Sequence, residues 1–133
     1  MPFTCKVGDS FYLPDTGGRH RYVILTKPNS DSKIVLVNFT DSRNIESPVI
    51  FNPKDDKRLF IKRTGVNYAQ ARLIKIKGLK DIIDGWEFCQ LNHIKRIVTG
   101  AFQSQHTPIY ILKELSTQYP EEHKQYCDWD YTI

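Results

Sequence analysis

Apolar residues along this chain repeat first at the period of strands and later at the period of a helix. After Val7-Gly8-Asp9, Phe11 and Leu13 alternate with their neighbours and predict a short strand over residues 10–13. Pro14-Asp15-Thr16-Gly17-Gly18 has the chemistry of a loop. Residues 21–26 are β-branched and aromatic and predict a second strand. A turn at residues 28–32 leads to an apolar run, 33–39, which predicts a strand buried on both faces. Residues 41–47 form a polar loop, 49–51 a short strand, and 52–58 a charged exposed stretch. Residues 59–61 predict another strand. Over 66–76 helix and strand both fit, and the alternating run Arg72-Leu73-Ile74-Lys75-Ile76-Lys77 favours strand.

Over residues 91–103 the period becomes helical. Leu91, Ile94, Val98, Ala101 and Phe102 share one face, with Gly100 a local weakness. Pro108 introduces a second helical segment, since proline is tolerated in a first turn. Several short strands before one amphipathic helix predict a small, strongly curved β-barrel with appended helices. The barrel with its helix occupies residues 1–104, and an acidic, aromatic extension occupies 105–133.

Composition narrows the class. With 133 residues and 15.5 kDa, one domain with one core is expected. No apolar run approaches the roughly 18–20 residues of a membrane span, and the N-terminus has no apolar stretch of the signal-peptide kind, so a cytoplasmic protein without a membrane partner is expected. Cys5, Cys89 and Cys127 are odd in number and widely spaced, as packed, reduced thiols are. His123 and Cys127 have helical spacing, but two ligands do not make a metal site, and no cofactor is implied. Charge is uneven. Residues 1–104 carry 17 Lys and Arg against 10 Asp and Glu, giving +7, whereas 105–133 carry 2 against 5, giving −3. A basic body suits a polyanion, and equally suits an ordinary solvated surface.

Candidate chemistry concentrates in residues 17–42. Arg19, His20 and Arg21 begin one strand, and Thr40 and Ser42 end the next. If the two strands pair, cations, an imidazole and hydroxyls gather at one sheet end, which is what a phosphodiester-handling site needs. The competing reading is an exposed histidine in a basic turn and turn chemistry at Thr40-Asp41-Ser42. A second basic cluster, Lys54, Lys57, Arg58, Lys62 and Arg63, lies near the aromatics Phe60 and Tyr68. Interleaved basic and aromatic residues can hold single-stranded nucleic acid through phosphate contacts and base stacking. Asp55 and Asp56 dilute that charge.

The order of these features resembles the MazF/PemK (Kid) toxin family. The carrying residues are Val7-Gly8-Asp9-Ser10-Phe11-Tyr12, Gly17-Gly18 before a hydrophobic strand, a strand ending Phe39-Thr40-Asp41, and Arg63-Thr64-Gly65-Val66 before a strand and the amphipathic helix. The resemblance spans about residues 6–104 and implies an SH3-like (MazF/PemK/CcdB-like) barrel with a C-terminal helix. It also implies a homodimer, an antitoxin partner and sequence-specific endoribonuclease activity on single-stranded RNA. The family's catalytic pair is an Arg shortly after the glycines and a Thr or Ser ending the following strand. Thr40 falls on the hydroxyl position. The Arg position falls on His20, with Arg19 and Arg21 as alternatives after a shift of one, and such a shift moves a side chain to the other face of a strand.

RNA carries its own nucleophile in the 2′-OH. On this reading His20 moves protons near neutral pH, Arg21 or Arg19 clamps phosphate oxygens, and Thr40, helped by Ser42, donates to a phosphate oxygen; the product is a 2′,3′-cyclic phosphate. Two rivals remain: a degenerate SH3-like module that binds nucleic acid or a partner protein, and a relative whose target is a protein. The acidic tail on a basic body reads either as a segment that docks on the nucleic-acid face or as an ordinary packed helix.

Overall fold

The computed structural model describes residues 4–15 and 18–126. The chain is mixed α/β: a curled, six-stranded antiparallel half-barrel sheet with three helices. Its strands are β1 (Asp9–Asp15), β2 (Gly18–Ile24), β3 (Lys33–Asp41), β4 (Ile50–Phe51), β5 (Thr64–Lys75) and β6 (Asp84–Phe88), in the spatial order β4-β5-β3-β2-β1-β6. The helices are α1 (Leu91–Gln103), α2 (Ile109–Gln118) and α3 (Pro120–Tyr126). No helix among the described residues is long and apolar enough to cross a membrane.

The central strand β3 is buried over Ile34–Phe39, and its alternation feeds two cores. Val35, Val37 and Phe39 join Val23 of β2 on one face, under α1, α2, Leu59 and Phe60. Ile34 and Leu36 join Tyr22, Ile24, Phe11 and Leu13 on the other, covered by Leu79 and half-buried Ile76 and Ile83. Period-two alternation sends neighbouring residues to opposite faces, so an uninterrupted apolar run is what a doubly covered strand requires.

Two irregularities curl the sheet. Along β3, Leu36 pairs with Arg72 while Asn38 pairs with Asn67, so Tyr68, Ala69, Gln70 and Ala71 of β5 stand opposite Val37 alone. At the far edge Ser10 pairs with Glu87 and Tyr12 with Asp84, leaving Gly85 and Trp86 opposite Phe11. Gly85 has φ +61°, the left-handed conformation of a glycine bulge.

Helix α1 matches its predicted span, with Ile94, Ile97, Val98, Ala101 and Phe102 buried. Leu91 departs from the prediction: it is 62% exposed at the start of the helix. Gly100 is a contact point rather than a weakness, because a Cβ there would lie 2.3 Å from the Tyr68 hydroxyl and 2.3 Å from Val49.

Residues 59–61 do not form the expected strand. Asp55 accepts from the Asn52 amide at 2.7 Å and Asp56 from the Arg58 amide at 2.9 Å, and the Phe60 amide donates to the Asp56 carbonyl at 2.9 Å. These local bonds fold the segment into successive turns, outcompeting a ladder. Leu59 and Phe60 then enter the core, Phe60 stacked on Phe51 with centroids 4.6 Å apart, while Ile61 stays 85% exposed. Strand β6, Asp84–Phe88, has no counterpart among the expected elements.

Helix α2 contributes Ile111, Leu112 and Leu115 to the first core. It is fastened to the β2–β3 turn by Gln118, which accepts from the Lys27 amide at 2.8 Å, and by Glu114, which accepts from Asn29 at 2.8 Å. Helix α3 packs on α1 and α2, with the His123 and Phe102 rings 5.7 Å apart.

Candidate functional site

Strands β2 and β3 pair over Tyr22↔Asn38, Val23↔Val37 and Ile24↔Leu36, and there the ladder stops. Beyond it β2 stays with β1 and β3 stays with β5. The two strands therefore fork, and a groove of about 320 Å³ lies at the fork. His20 and Arg21 line it from one prong, Phe39, Thr40 and Asp41 from the other. Tyr12, Asn44, Leu59, Ile61, Lys62 and Thr64 complete its walls.

Strand alternation sorts the basic triplet. His20 has the parity of Tyr22 and Ile24, and Thr40 that of Ile34 and Leu36, so His20 and Thr40 share the face of the second core. Arg21 has the parity of Val23 and shares the face of Phe39. The groove takes residues from both faces because the strands have separated there. Arg19 lies in β2, and its side chain is outside the described residues.

Arg21 is 8% exposed and heavily engaged. Its Nη1 donates to Ser10 Oγ at 3.1 Å, its Nη2 donates to the Gly85 carbonyl at 3.0 Å, and its guanidinium lies 4.3 Å from the centre of the Tyr12 ring. Ser10 in turn donates to the Tyr22 carbonyl at 2.8 Å. The Nε is buried without a hydrogen-bond partner. A buried guanidinium fixed on three sides has lost its rotamer freedom before any ligand arrives.

Asp41 organises the rim. It binds Arg43 in a fork, with Nε 3.0 Å from Oδ1 and Nη2 2.6 Å from Oδ2, and it accepts from Lys62 Nζ at 3.1 Å. The Arg43 side chain, then the Arg43 amide, then Lys62 hold the Asp41 carboxyl well below the usual carboxylate range. The Ser42 amide also donates to the Arg63 carbonyl at 3.2 Å, tying the turn after β3 to the segment before β5. The Thr40 hydroxyl makes no hydrogen bond to another described residue.

The remaining expected site residues divide. Lys62 joins the groove, and Ser42 sits beside it in the 3-10 turn Ser42–Asn44 without lining it. Lys54, Lys57 and Arg63 are exposed on the turn segment. Arg58 lies 3.6 Å from Asp56 and 3.6 Å from Glu87. Tyr68 is not a surface platform: it is 3% exposed, and its hydroxyl donates to the Ile97 carbonyl at 2.7 Å. Phe60 is equally closed to a base. Tyr12, Phe39, Asp41, Asn44, Leu59, Ile61 and Thr64 line the groove without being among the expected site residues. For Asp41 the signal was its place beside Thr40; for Tyr12 it was the strand pairing partner of Arg21.

A second groove, of about 390 Å³, lies between α1 and Tyr126 and is lined by Lys95, Arg96 and Thr99 among others. It contains no histidine, and so lacks a group that transfers protons near neutrality. No residue of α2 or α3 lines the groove at the fork. Of the two readings of the acidic tail, the packed helix describes it as far as Tyr126, where α3 lies against α1 and α2. Cys127, Trp129 and Tyr131 lie outside the described residues, as does the Cys127 half of the His123–Cys127 pair. Among the described residues no group of three or more His, Cys, Asp or Glu could hold a metal ion. Compared with known proteins, the chain matches no family model, no curated protein and no solved structure.

Proposed function

We propose that this chain is an endoribonuclease of toxin or defence type, built on an SH3-like barrel, that cleaves single-stranded RNA at the fork between β2 and β3. The observation that carries the reading is the convergence of His20, Arg21, Thr40 and Lys62 on one groove. These groups suit the three tasks of cleavage by the 2′-OH. His20 takes the 2′ proton as the 2′ oxygen attacks phosphorus, and returns it to the 5′ oxygen as the P–O5′ bond breaks. Thr40 donates to a non-bridging oxygen, and Arg21 and Lys62 offset the charge that builds there. The products are a 2′,3′-cyclic phosphate and a 5′-hydroxyl, with no redox change and no group left over.

One observation favours a second reading, a module that binds RNA without cutting it. Ser10 and Gly85 already occupy N–H donors of Arg21, and Asp41 already pairs with Lys62, which leaves fewer free donors for a transition state.

The discriminating experiment is incubation with RNA in EDTA, comparing wild type with His20→Ala and Thr40→Ala. The first reading expects cleavage that falls about 100-fold or more in each variant, the size seen when one well-placed transition-state group is lost. RNA that is bound but never cut supports the second reading. RNA neither bound nor cut rejects both.

A further inference from the structure

We propose that the apex of the fork is a two-state hinge, biased towards opening by the buried amide of Asn38, and that it sets the spacing of His20 and Thr40. The hinge follows from β2 and β3 alone; its service to a bound strand rests on the RNA reading above.

Asn38 is the polar interruption in the apolar run of β3. It has the parity of Ile34 and Leu36, so it faces the second core, and it is 0% exposed. Neither its Oδ1 nor its Nδ2 has a hydrogen-bond partner. The other buried polar side chains, from Asp9 and Ser10 to Thr26 and Thr107, each make at least one hydrogen bond.

Two breaks in the sheet meet at this residue. Asn38 and Tyr22 form the last rung of the β2–β3 ladder, and Asn38 and Asn67 form the first rung after the β5 bulge. Part of the cover on that face is a flexible chain: half-buried Arg72 lays its guanidinium over the Tyr22 ring at 5.2 Å.

An amide shut away without a partner raises the energy of the closed apex, whereas parting the rung gives that amide water. An apolar side chain, as elsewhere along the run, would carry no such penalty. The difference is worth about tenfold in the closing equilibrium. Elements that move for function are drawn from the least stable parts of a fold.

His20 lies two residues beyond Tyr22, and Thr40 two beyond Asn38, on the same face. Parting the apex rung therefore widens their separation. A phosphate held by both favours the closed apex, and the open apex admits and releases the strand.

The test is native-state hydrogen exchange by NMR, read at the Val23 and Val37 amides beside the apex and at the Ile97 and Val98 amides of α1. In the wild-type protein the apex pair should be protected about tenfold less than the α1 pair. Asn38→Val and Asn38→Leu, which remove the penalty, should each close that gap. A 2′-O-methyl RNA, which lacks the nucleophile, should slow the apex pair roughly tenfold at about ten times its Kd. Apex amides as protected as those of α1 in the wild type overturn the hinge, whatever the variants do. Protection that falls in both variants also overturns it, because the amide is then satisfied in the folded state. RNA that binds without slowing the apex overturns the link between hinge and groove. RNA that does not bind rejects the RNA reading, and exchange in the wild type and the two variants still decides the hinge.

Discussion

Arg21 donates to the carbonyl of Gly85 at 3.0 Å, and that bond joins the strand carrying the candidate chemistry to the edge strand β6. The carbonyl is presented by a bulge that only glycine adopts without strain, at φ +61°. A Cβ at this position would also lie 2.7 Å from the Tyr12 ring, on which the Arg21 guanidinium rests. Gly85→Ala should destabilise the fold by about 1–3 kcal/mol, the usual cost of a left-handed non-glycine residue. It should also weaken RNA binding, because Tyr12 and Arg21 shift together. Urea denaturation and oligonucleotide binding, each measured against Ser10→Ala, check both parts. If Gly85→Ala leaves binding unchanged, Arg21 does not contribute to the groove.

Gly100 offers an opposed test within α1. On helix propensity alone, replacing a mid-helix glycine by alanine stabilises by about 1 kcal/mol. Here the added methyl would meet the Tyr68 hydroxyl and Val49 at 2.3 Å each. Tyr68 is held by its bond to Ile97, and Val49 is buried, so neither yields easily. Overpacking costs about 1–3 kcal/mol and should win. Gly100→Ala is therefore expected to lower the urea midpoint; a raised midpoint would mean that α1 moves freely away from β5.

What the sequence discloses here follows from how local each cause is. The run of residues 33–39 reads as a doubly covered strand, and Ile94, Val98 and Ala101 as one helix face, from local pattern. Residues 52–63 were opaque because Asp55 and Asp56 capture backbone amides, and no hydrophobic pattern records that. β6 was opaque because its first residues, Asp84-Gly85, look like a turn; its strand character comes from pairing with β1. At the site, the gathering of His20, Arg21 and Thr40 was legible from strand order. Which of the triplet shares a face with Thr40 was not, since it depends on the Tyr22↔Asn38 register. Tyr68 misled because a tyrosine near cations reads as a stacking surface, whereas the β5 bend turns it under α1.

Cys89 is buried in the first core, its amide donating to the Gly8 carbonyl at 2.7 Å. Burial, reinforced by the charge of Asp56 and opposed by Arg21, pushes its thiol up to about 12. A pKa raised in the folded state gives stability that is complete below the unfolded value of about 8.5 and is lost as pH rises from there. The stability difference between wild type and Cys89→Ala should accordingly shrink above about pH 8.5. Iodoacetamide with peptide mapping should find Cys89 unmodified until the protein is unfolded. Labelling of Cys89 in the native protein would contradict its burial.

Asp41 links stability to the proposed binding. Its carboxyl is held low by Arg43 and Lys62, so the stability it confers is present above the unfolded value of about 3.9 and is lost as pH falls through and below it. The gap in urea midpoint between wild type and Asp41→Asn should be constant near neutrality and close below about pH 4. At neutral pH the same substitution releases two cations, Arg43 and Lys62, at the mouth of the groove. RNA binding by Asp41→Asn should then tighten, and its salt dependence should steepen by about 0.7 in the log–log slope for each cation newly engaged with a single strand. Weaker binding instead would mean that Asp41 matters by aiming Lys62 at the strand. An unchanged affinity and slope would place the phosphate path elsewhere than along Lys62.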